Sequence, residues 1–355
     1  MVAATVGAVS GDLMPPWLTA EWLASTLGRE IRSIRVRRIG DGLVGMNLRV
    51  EVLGDDDGPS SVVVKVPAPE ETSRSTGVSL RNYEREVRFY RELASTVDIR
   101  IAHCHLAEWD PDDGSFVLVL EDLAPGVQGD QLAGCSVGQA RTAVIELARL
   151  HGPRWDDPAL AGIDWLSRRS TPDAVARVAE LWERCVPAFL SSYGAHLAAD
   201  ELALIDRLGP RLSDWLEGRE PPFTLVHGDY RLDNLLFASP AGGHPVAAVD
   251  WQTPGHAPAL ADVSYFLGAG LLPDGRRAAE RAIVEEYATA LDAYGIGLDS
   301  GWVWQQYRRE AVAGLVMAVT ASQVVSPSAR SDALFVAMAT RHARHAIDLD
   351  ALSVL

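Results

Sequence analysis

His227-Gly-Asp-Tyr-Arg-Leu-Asp-Asn234 and, further on, Val249-Asp250-Trp251 place two carboxylates and a carboxamide where a proton acceptor and a divalent-cation cage could form. Asp229 and Asn234 share a loop between two apolar runs, Phe223–Val226 and Leu235–Phe237, and Asp250 ends a third run, Val246–Val249. The turn signal Ser239-Pro-Ala-Gly-Gly between the last two runs predicts a hairpin, which would carry Asp250 back beside Asp229 and Asn234. Oxygen-only ligands of this kind suit Mg²⁺, which takes few protein ligands and shares its octahedron with water and substrate phosphates. The chemistry implied is phosphoryl transfer, which needs a base and a magnesium cage of this kind.

Other residues must position that group. Gly40-Asp-Gly42-Leu-Val-Gly45 fits G-x-G-x-x-G, and the residues after it, Met46-Asn-Leu-Arg-Val-Glu-Val52, read as a strand. A dinucleotide-binding turn would be followed by a helix. Strand–loop–strand is the setting of a phosphate-covering flap, with a simple hairpin turn as the alternative. Lys65 sits in the apolar strand Val62-Val-Val-Lys-Val66, where a buried ammonium needs an anion. Glu86 supplies one, because it shares a helical face with Tyr83, Val87 and Tyr90. An inward Lys65–Glu86 pair would aim the lysine at nucleotide phosphates. Phe116-Val-Leu-Val-Leu-Glu-Asp-Leu123 reads as a strand whose end, at Glu121 and Leu123, offers backbone groups to an adenine ring.

Composition narrows the class. The chain has 355 residues, 48% of them hydrophobic, enough for two domains. A formal net charge of −16 argues against nucleic acid as a partner, since phosphate backbones are held by excess Lys and Arg. Cys104, Cys135 and Cys185 form no paired motif, which points to a reducing compartment without disulfides or zinc. The start of the chain lacks a basic signal-peptide region, and the apolar segment Ala311–Val325 is too short to span a bilayer. A cytoplasmic protein without membrane insertion is expected, and the sequence carries no signal for oligomeric state.

Residues Ile31–Val66 read as strands after a short helix near Leu18–Leu27, with Arg32, Arg35, Arg37 and Arg38 on the solvated face of an edge strand. A helix over Leu80–Leu93 and extended segments near Ala102–Trp109 and Phe116–Leu120 follow. Beyond Pro125 the pattern is helical over Val137–His151, Thr171–Tyr193, Ala199–Glu217, Gly275–Tyr294 and Trp302–Val324. The fold class is therefore α+β: a small β-rich lobe over residues 1–122 for nucleotide, and a larger, mostly helical lobe over 123–355 for catalysis and substrate.

These motifs resemble those of the aminoglycoside phosphotransferase and choline-kinase-like superfamily, the small-molecule branch of the protein-kinase fold. The likeness rests on His-Gly-Asp-x-x-x-x-Asn at 227–234, Val-Asp-Trp at 249–251, Lys65, Glu-Arg-Glu at 84–86 and Leu147-Ala-Arg-Leu-His-Gly152. Leu120-Glu-Asp-Leu123 and Ala261-Asp-Val-Ser-Tyr-Phe-Leu267 look most like its ecdysteroid-kinase-like branch. The resemblance implies ATP and Mg²⁺ as cofactors and a small hydroxylated molecule as acceptor, with Asp229 accepting the proton of, or orienting, its hydroxyl and Asn234 and Asp250 holding the metal. Arg231 either neutralises the transferred phosphoryl group or is a plain surface arginine. Asp262 either braces the loop, as the family would have it, or is an ordinary N-cap. His227 and His151 are read as packing histidines, Asp233 as exposed or a local cap, and Glu84 and Arg88 as a surface pair. Two other readings stay open: an aminoglycoside-resistance kinase, for which Glu285 and Glu286 are the candidate carboxylates, and a catalytically silent nucleotide-binding regulator. A protein substrate is disfavoured, because no Ala-Pro-Glu follows Asp250 and Asp262 comes within twelve residues.

Overall fold

A computed structural model of the chain describes residues 14–40, 44–54, 58–167, 171–325 and 328–355. The chain divides into two compact units, Met1–Ser95 with Ile101–Ala124, and Thr96–Arg100 with Pro125–Leu355.

The first unit begins with α1 (Ala20–Leu27), capped by the Thr19 side chain at its start and by Gly28 at φ +65° at its end. Strands β1 (Ser33–Ile39), β2 (Gly45–Leu53) and β3 (Ser61–Pro67) follow, then helices α2 (Glu71–Ser79) and α3 (Asn82–Arg88), then β4 (Cys104–Trp109) and β5 (Phe116–Glu121). The strands make one sheet in the order β1-β2-β3-β5-β4, with every neighbouring pair antiparallel. Period-two alternation sets its core. Met46, Leu48, Val50 and Val52 of β2 and Val62, Val64 and Val66 of β3 pack with Leu18, Leu23 and Val119. The arginine-rich strand β1 lies at the sheet edge, and Arg35 there pairs with Glu51 across the ladder at 3.0 Å. Helix α2 is polar and lacks apolar periodicity, and sequence patterning did not show it.

The second unit continues with β6 (Val127–Gln128), α4 (Val137–His151), α5 (Pro158–Ala161), α6 (Pro172–Tyr193), α7 (Ala199–Leu208) and α8 (Leu212–Glu217). Next come β7 (Thr224–Val226), β8 (Leu235–Ser239), β9 (Gly242–Ala248) and β10 (Gly255–Ala257). Helices α9 (Leu260–Gly270), α10 (Pro273–Leu291), α11 (Ser300–Glu310), α12 (Ala313–Ala321) and α13 (Ala329–Asp348) complete it. The predicted hairpin is β8–β9, paired from Leu235↔Ala248 to Ser239↔Gly242, with β6 on the other side of β8. Strand β7 pairs with β10 instead. Two expected long helices are each split. Gly209-Pro210 separates α7 from α8, where proline removes an amide donor and crowds the preceding turn. The stretch Trp302–Val324 divides into α11 and α12. Among the described residues, no helix is long and apolar enough to cross a membrane.

Helix α9 is buried on nearly every side and packs against α4, α10, α11, α12 and α13. Two glycines allow the closest approach. A Cβ on Gly268 of α9 would lie 2.6 Å from His342 Nδ1, and one on Gly314 of α12 would lie 2.0 Å from the same ring. The imidazole of His342, from α13, thus fills the space those side chains would take. Gly314→Ala should overpack this junction and lower stability by about 1–3 kcal/mol, measured by denaturant unfolding. Wild-type stability in that variant would show that the three helices can move apart.

Candidate functional site

The loop after β7 carries the motif residues, and a single carboxylate fixes its start. Asp262, in the first turn of α9, accepts the backbone N–H of His227 through Oδ2 at 2.7 Å and that of Gly228 through Oδ1 at 3.0 Å. The N-cap position of α9 is Ala259, so Asp262 does not cap its own helix. His151, at the end of α4, reaches Asp262 Oδ2 with Nε2 at 3.4 Å and the Tyr287 hydroxyl with Nδ1 at 2.7 Å. His227 packs within the loop, its Nε2 bonding to the Val249 carbonyl at 3.0 Å, while its Nδ1 accepts the Asp229 N–H at 3.3 Å. Gly228 has φ +79°, and a Cβ there would meet the Thr253 carbonyl oxygen at 2.3 Å. That position therefore requires glycine.

The two ends of the motif then converge. Val249 N–H donates to the Asn234 carbonyl at 3.0 Å, which ties the end of the β8–β9 hairpin to the loop. Asn234 is buried, and its Nδ2 donates to both the carbonyl and the Oδ2 of Asp229, at 2.9 Å each. With the amide nitrogen committed, Oδ1 is the atom Asn234 can offer a cation. Asp250, the next residue after Val249, has φ +67°, a left-handed backbone unusual for a residue with a side chain. Strain of that kind is held only where the surroundings enforce it, and it concentrates at functional sites. The Val249–Asn234 backbone bond sets Asp250 one residue from that junction, and an amide oxygen and a carboxylate are hard-oxygen donors of the kind that suits Mg²⁺.

Asp229 is the most contacted side chain of the group. Its Oδ2 accepts Arg231 Nε at 3.1 Å as well as Asn234, and its Oδ1 accepts the Tyr265 hydroxyl at 2.9 Å. Arg231 also pairs with Asp233 at 2.7 Å, so its guanidinium bridges two carboxylates. Burial alone would favour a neutral Arg231, but the neighbouring Asp229, Tyr265 and Asp233 outweigh it and raise its pKa further. Asp233 is not an exposed loop residue. It takes the Gln131 N–H at 2.9 Å, and the Gln131 side chain accepts the Leu232 N–H at 2.9 Å.

In the first unit, Lys65 Nζ lies 2.8 and 2.7 Å from the two carboxylate oxygens of Glu86, with both residues buried. Gly40, at φ +66°, closes β1 and Gly45 opens β2, so the glycine segment joins neighbouring antiparallel strands. Gly42 lies outside the described residues. The Glu121 N–H is already donated to the His103 carbonyl at 2.8 Å, and its carboxylate accepts the His103 N–H, so that amide is not available to a ring nitrogen. Leu123 is buried just past the strand end. Glu84 is buried too and is held chiefly by Arg81, at 2.6 and 2.7 Å, with Arg88 at 3.4 Å. Its partner is thus mainly the residue before the helix, not the one a turn along it.

Tyr265 and Gln131 were not read from the sequence as site residues. Tyr265 had one signal: it stands three places after Asp262, on the same face of α9. Gln131 had none, because its role depends on the fold bringing residues 131 and 232 together.

Asp262 also sets an acid limit on stability. Burial raises its pKa, but the His151 contact and the His227 backbone N–H are among the contacts that outweigh it and leave the carboxyl below its ordinary value. A depressed carboxyl stabilises the fold above its unfolded value of about 3.9 and loses that contribution as pH falls through the folded value. Asp262→Ala leaves two buried N–H donors without an acceptor and should cost about 3 kcal/mol or more near neutrality. Its loss should narrow the gap from wild type below about pH 4, measured by urea unfolding across pH. A gap independent of pH would mean that Asp262 titrates alike in the folded and unfolded chains.

The sequence profile of the phosphotransferase enzyme family matches residues 36–308. Among solved structures, Plasmodium vivax ethanolamine kinase matches 90% of this chain and 85% of its own at TM-score 0.56 and 10% identity. A microcompartment-associated aminopropanol kinase matches 91% of this chain and 95% of its own at TM-score 0.54 and 16% identity. The GDP complex of an aminoglycoside 2'-phosphotransferase matches 92% and 97% at TM-score 0.52 and 15% identity. At such identities these structures establish a shared fold. A mouse protein, acyl-CoA dehydrogenase family member 10, is 35% identical over 91 residues, which is 25% of this chain and 8% of that protein. The family profile spans well over half of the sequence and includes Lys65, the 227–234 loop and Asp250, so the chain belongs to the phosphotransferase enzyme family.

Proposed function

We propose that the chain transfers the γ-phosphoryl group of ATP to a hydroxyl of a small molecule, with Asp229 as the base. The observation that carries this reading is the convergence of Asp229, Asn234 and the strained Asp250 on one loop and hairpin end. The acceptor oxygen forms a bond to phosphorus as its proton passes to the Asp229 carboxylate. The bond from the γ-phosphorus to the bridging oxygen breaks, and its electron pair leaves with ADP. Asn234 and Asp250 would hold Mg²⁺, which supplies charge neutralisation on the nucleotide phosphates.

Lys65, oriented by Glu86, would meet the nucleotide phosphates, with the Gly40–Gly45 segment over them and the Leu123 backbone toward the base. For Arg231 we assign a role different from contact with the phosphoryl group. Its guanidinium holds Asp229 and Asp233 together and fixes the base. The acidic residues considered for a polycationic acceptor are already paired, Glu285 with Arg281 at 2.7 Å and Glu286 with Arg141 at 2.7 Å. That weighs against an aminoglycoside and toward a smaller acceptor.

A nucleotide-consumption screen across alcohols, amino alcohols, amino sugars and sterols should identify the acceptor. With that acceptor, Asp229→Ala should lose about 10² or more in turnover and keep nucleotide binding, the scale of a positioned base. Unchanged turnover would remove Asp229 from the role. Asp250→Ala should abolish the Mg²⁺-dependent part of ATP binding in calorimetry run with and without the metal. Equal binding in wild type and variant would place the metal elsewhere, and Mg·ATP binding with no turnover on any acceptor or water would favour a silent regulator.

A further inference from the structure

We infer that Tyr265 is a positioning residue that selects which oxygen of Asp229 receives the acceptor's proton. The inference rests on the reading of Asp229 as base and extends it to a residue on a different element.

The argument is a count of lone pairs. Each carboxylate oxygen accepts about two hydrogen bonds. Oδ2 of Asp229 is filled by Arg231 Nε at 3.1 Å and Asn234 Nδ2 at 2.9 Å. Oδ1 accepts, among the described residues, the Tyr265 hydroxyl at 2.9 Å and nothing else. The place left on this carboxylate is therefore the second lone pair of Oδ1, on a side chain that is 24% exposed as a whole. The acceptor hydroxyl would donate to Oδ1 beside the phenol. As the acceptor oxygen bonds to phosphorus, its proton passes to Oδ1, and the Tyr265 hydrogen bond holds the carboxylate plane through that transfer.

The phenol is itself held from behind. Its ring stacks on His342 with centroids 5.3 Å apart and planes 22° from parallel. His342 is fully buried, and neither ring nitrogen has a hydrogen-bond partner among the described residues. Burial first, then the charges of His345, Arg341 and Arg276, hold the imidazole pKa well below its ordinary value, so the ring is neutral. A neutral, unbonded imidazole is a flat wall that does not draw the phenol away from Asp229. Gly268 and Gly314 leave the room in which that wall stands. A tyrosine that merely filled space here would be matched by phenylalanine, which keeps the ring and the stack and removes only the hydroxyl.

The test compares wild type, Tyr265→Phe and Asp229→Asn as full-length proteins, with Mg·ATP as donor and water, or the acceptor found by the screen, as acceptor. Tyr265→Phe should melt as wild type does and keep the nucleotide KM, while kcat falls about tenfold, less than the roughly 10² or more that loss of the base itself costs. A spectroscopic arm needs no turnover. In protein labelled with ¹³C at aspartate carboxyls, the Asp229 resonance, recognised by its loss in Asp229→Asn, should move in Tyr265→Phe. Wild-type kcat, or an unmoved Asp229 resonance, in Tyr265→Phe overturns the proposal. Full activity in Asp229→Asn would instead overturn the reading of the base, so the two failures are distinguishable.

Discussion

The geometry of the loop depends on one carboxylate accepting two consecutive backbone amides. Asp262 takes the N–H groups of His227 and Gly228, and among the described residues no other acceptor serves them. Buried amides left unpaired are costly, so the loop enters in one register or loses much of its stability. Gly228 then turns through a left-handed conformation against Thr253, which leaves Asp229 little freedom in where it emerges. His151 completes the support from α4, and Tyr287 of α10 holds His151. The last residue of one helix, the first turn of another and the C-terminal part of a third thus meet behind a loop with almost no regular structure of its own.

In front of that support, charge decides the arrangement. Asp229 and Asp233 would repel each other if left as neighbours, and Arg231 between them converts the repulsion into a clamp. Buried charges that are paired and hydrogen-bonded hold geometry better than they add stability, because desolvation offsets most of the Coulomb gain. Gln131 ties the same cluster to the segment that precedes α4, through the backbone of Asp233's neighbour Leu232 and the carboxylate of Asp233 itself. The loop around Asp229 is thus fixed from Gln131, 101 and 102 residues before the groups it bonds, and from Tyr265, 36 residues after Asp229.

The readable part of this protein was the part written in local pattern. The strands β1, β2 and β3, the β8–β9 hairpin and α4 follow from period and turn residues, and the spacing of Asp229, Asn234 and Asp250 is the local pattern on which the proposed chemistry rests. What escaped was of two kinds. Helix α2 is polar and shows no plain apolar stripe, whereas helix α13 has one, broken by the buried histidines His342 and His345. Gln131, Asp233 and Tyr265 act through partners far away in sequence, and no local signal distinguishes a surface glutamine from one that holds a loop. His151 was seen as a packed histidine, which it is. Its second contact, to Asp262, exists only because α4 and α9 lie against each other.

The first unit applies the same device to a cation. Glu86, 1% exposed, is a charge that water cannot reach, and an apolar residue of similar volume would pack the sheet at no electrostatic cost. Its burial is accounted for by what it holds, which is an ammonium that would otherwise swing on a flexible four-carbon stem. Glu86 aims Lys65 as Asp262 aims the loop: each is a carboxylate placed to orient another group, with the reacting partner left to that group. Under the function proposed above, this division accounts for the burial of the acidic residues that set the geometry, whereas Asp229 and Asp250 are only partly buried. A carboxylate that must exchange a proton or a ligand needs an open side, and one that only positions a neighbour does not.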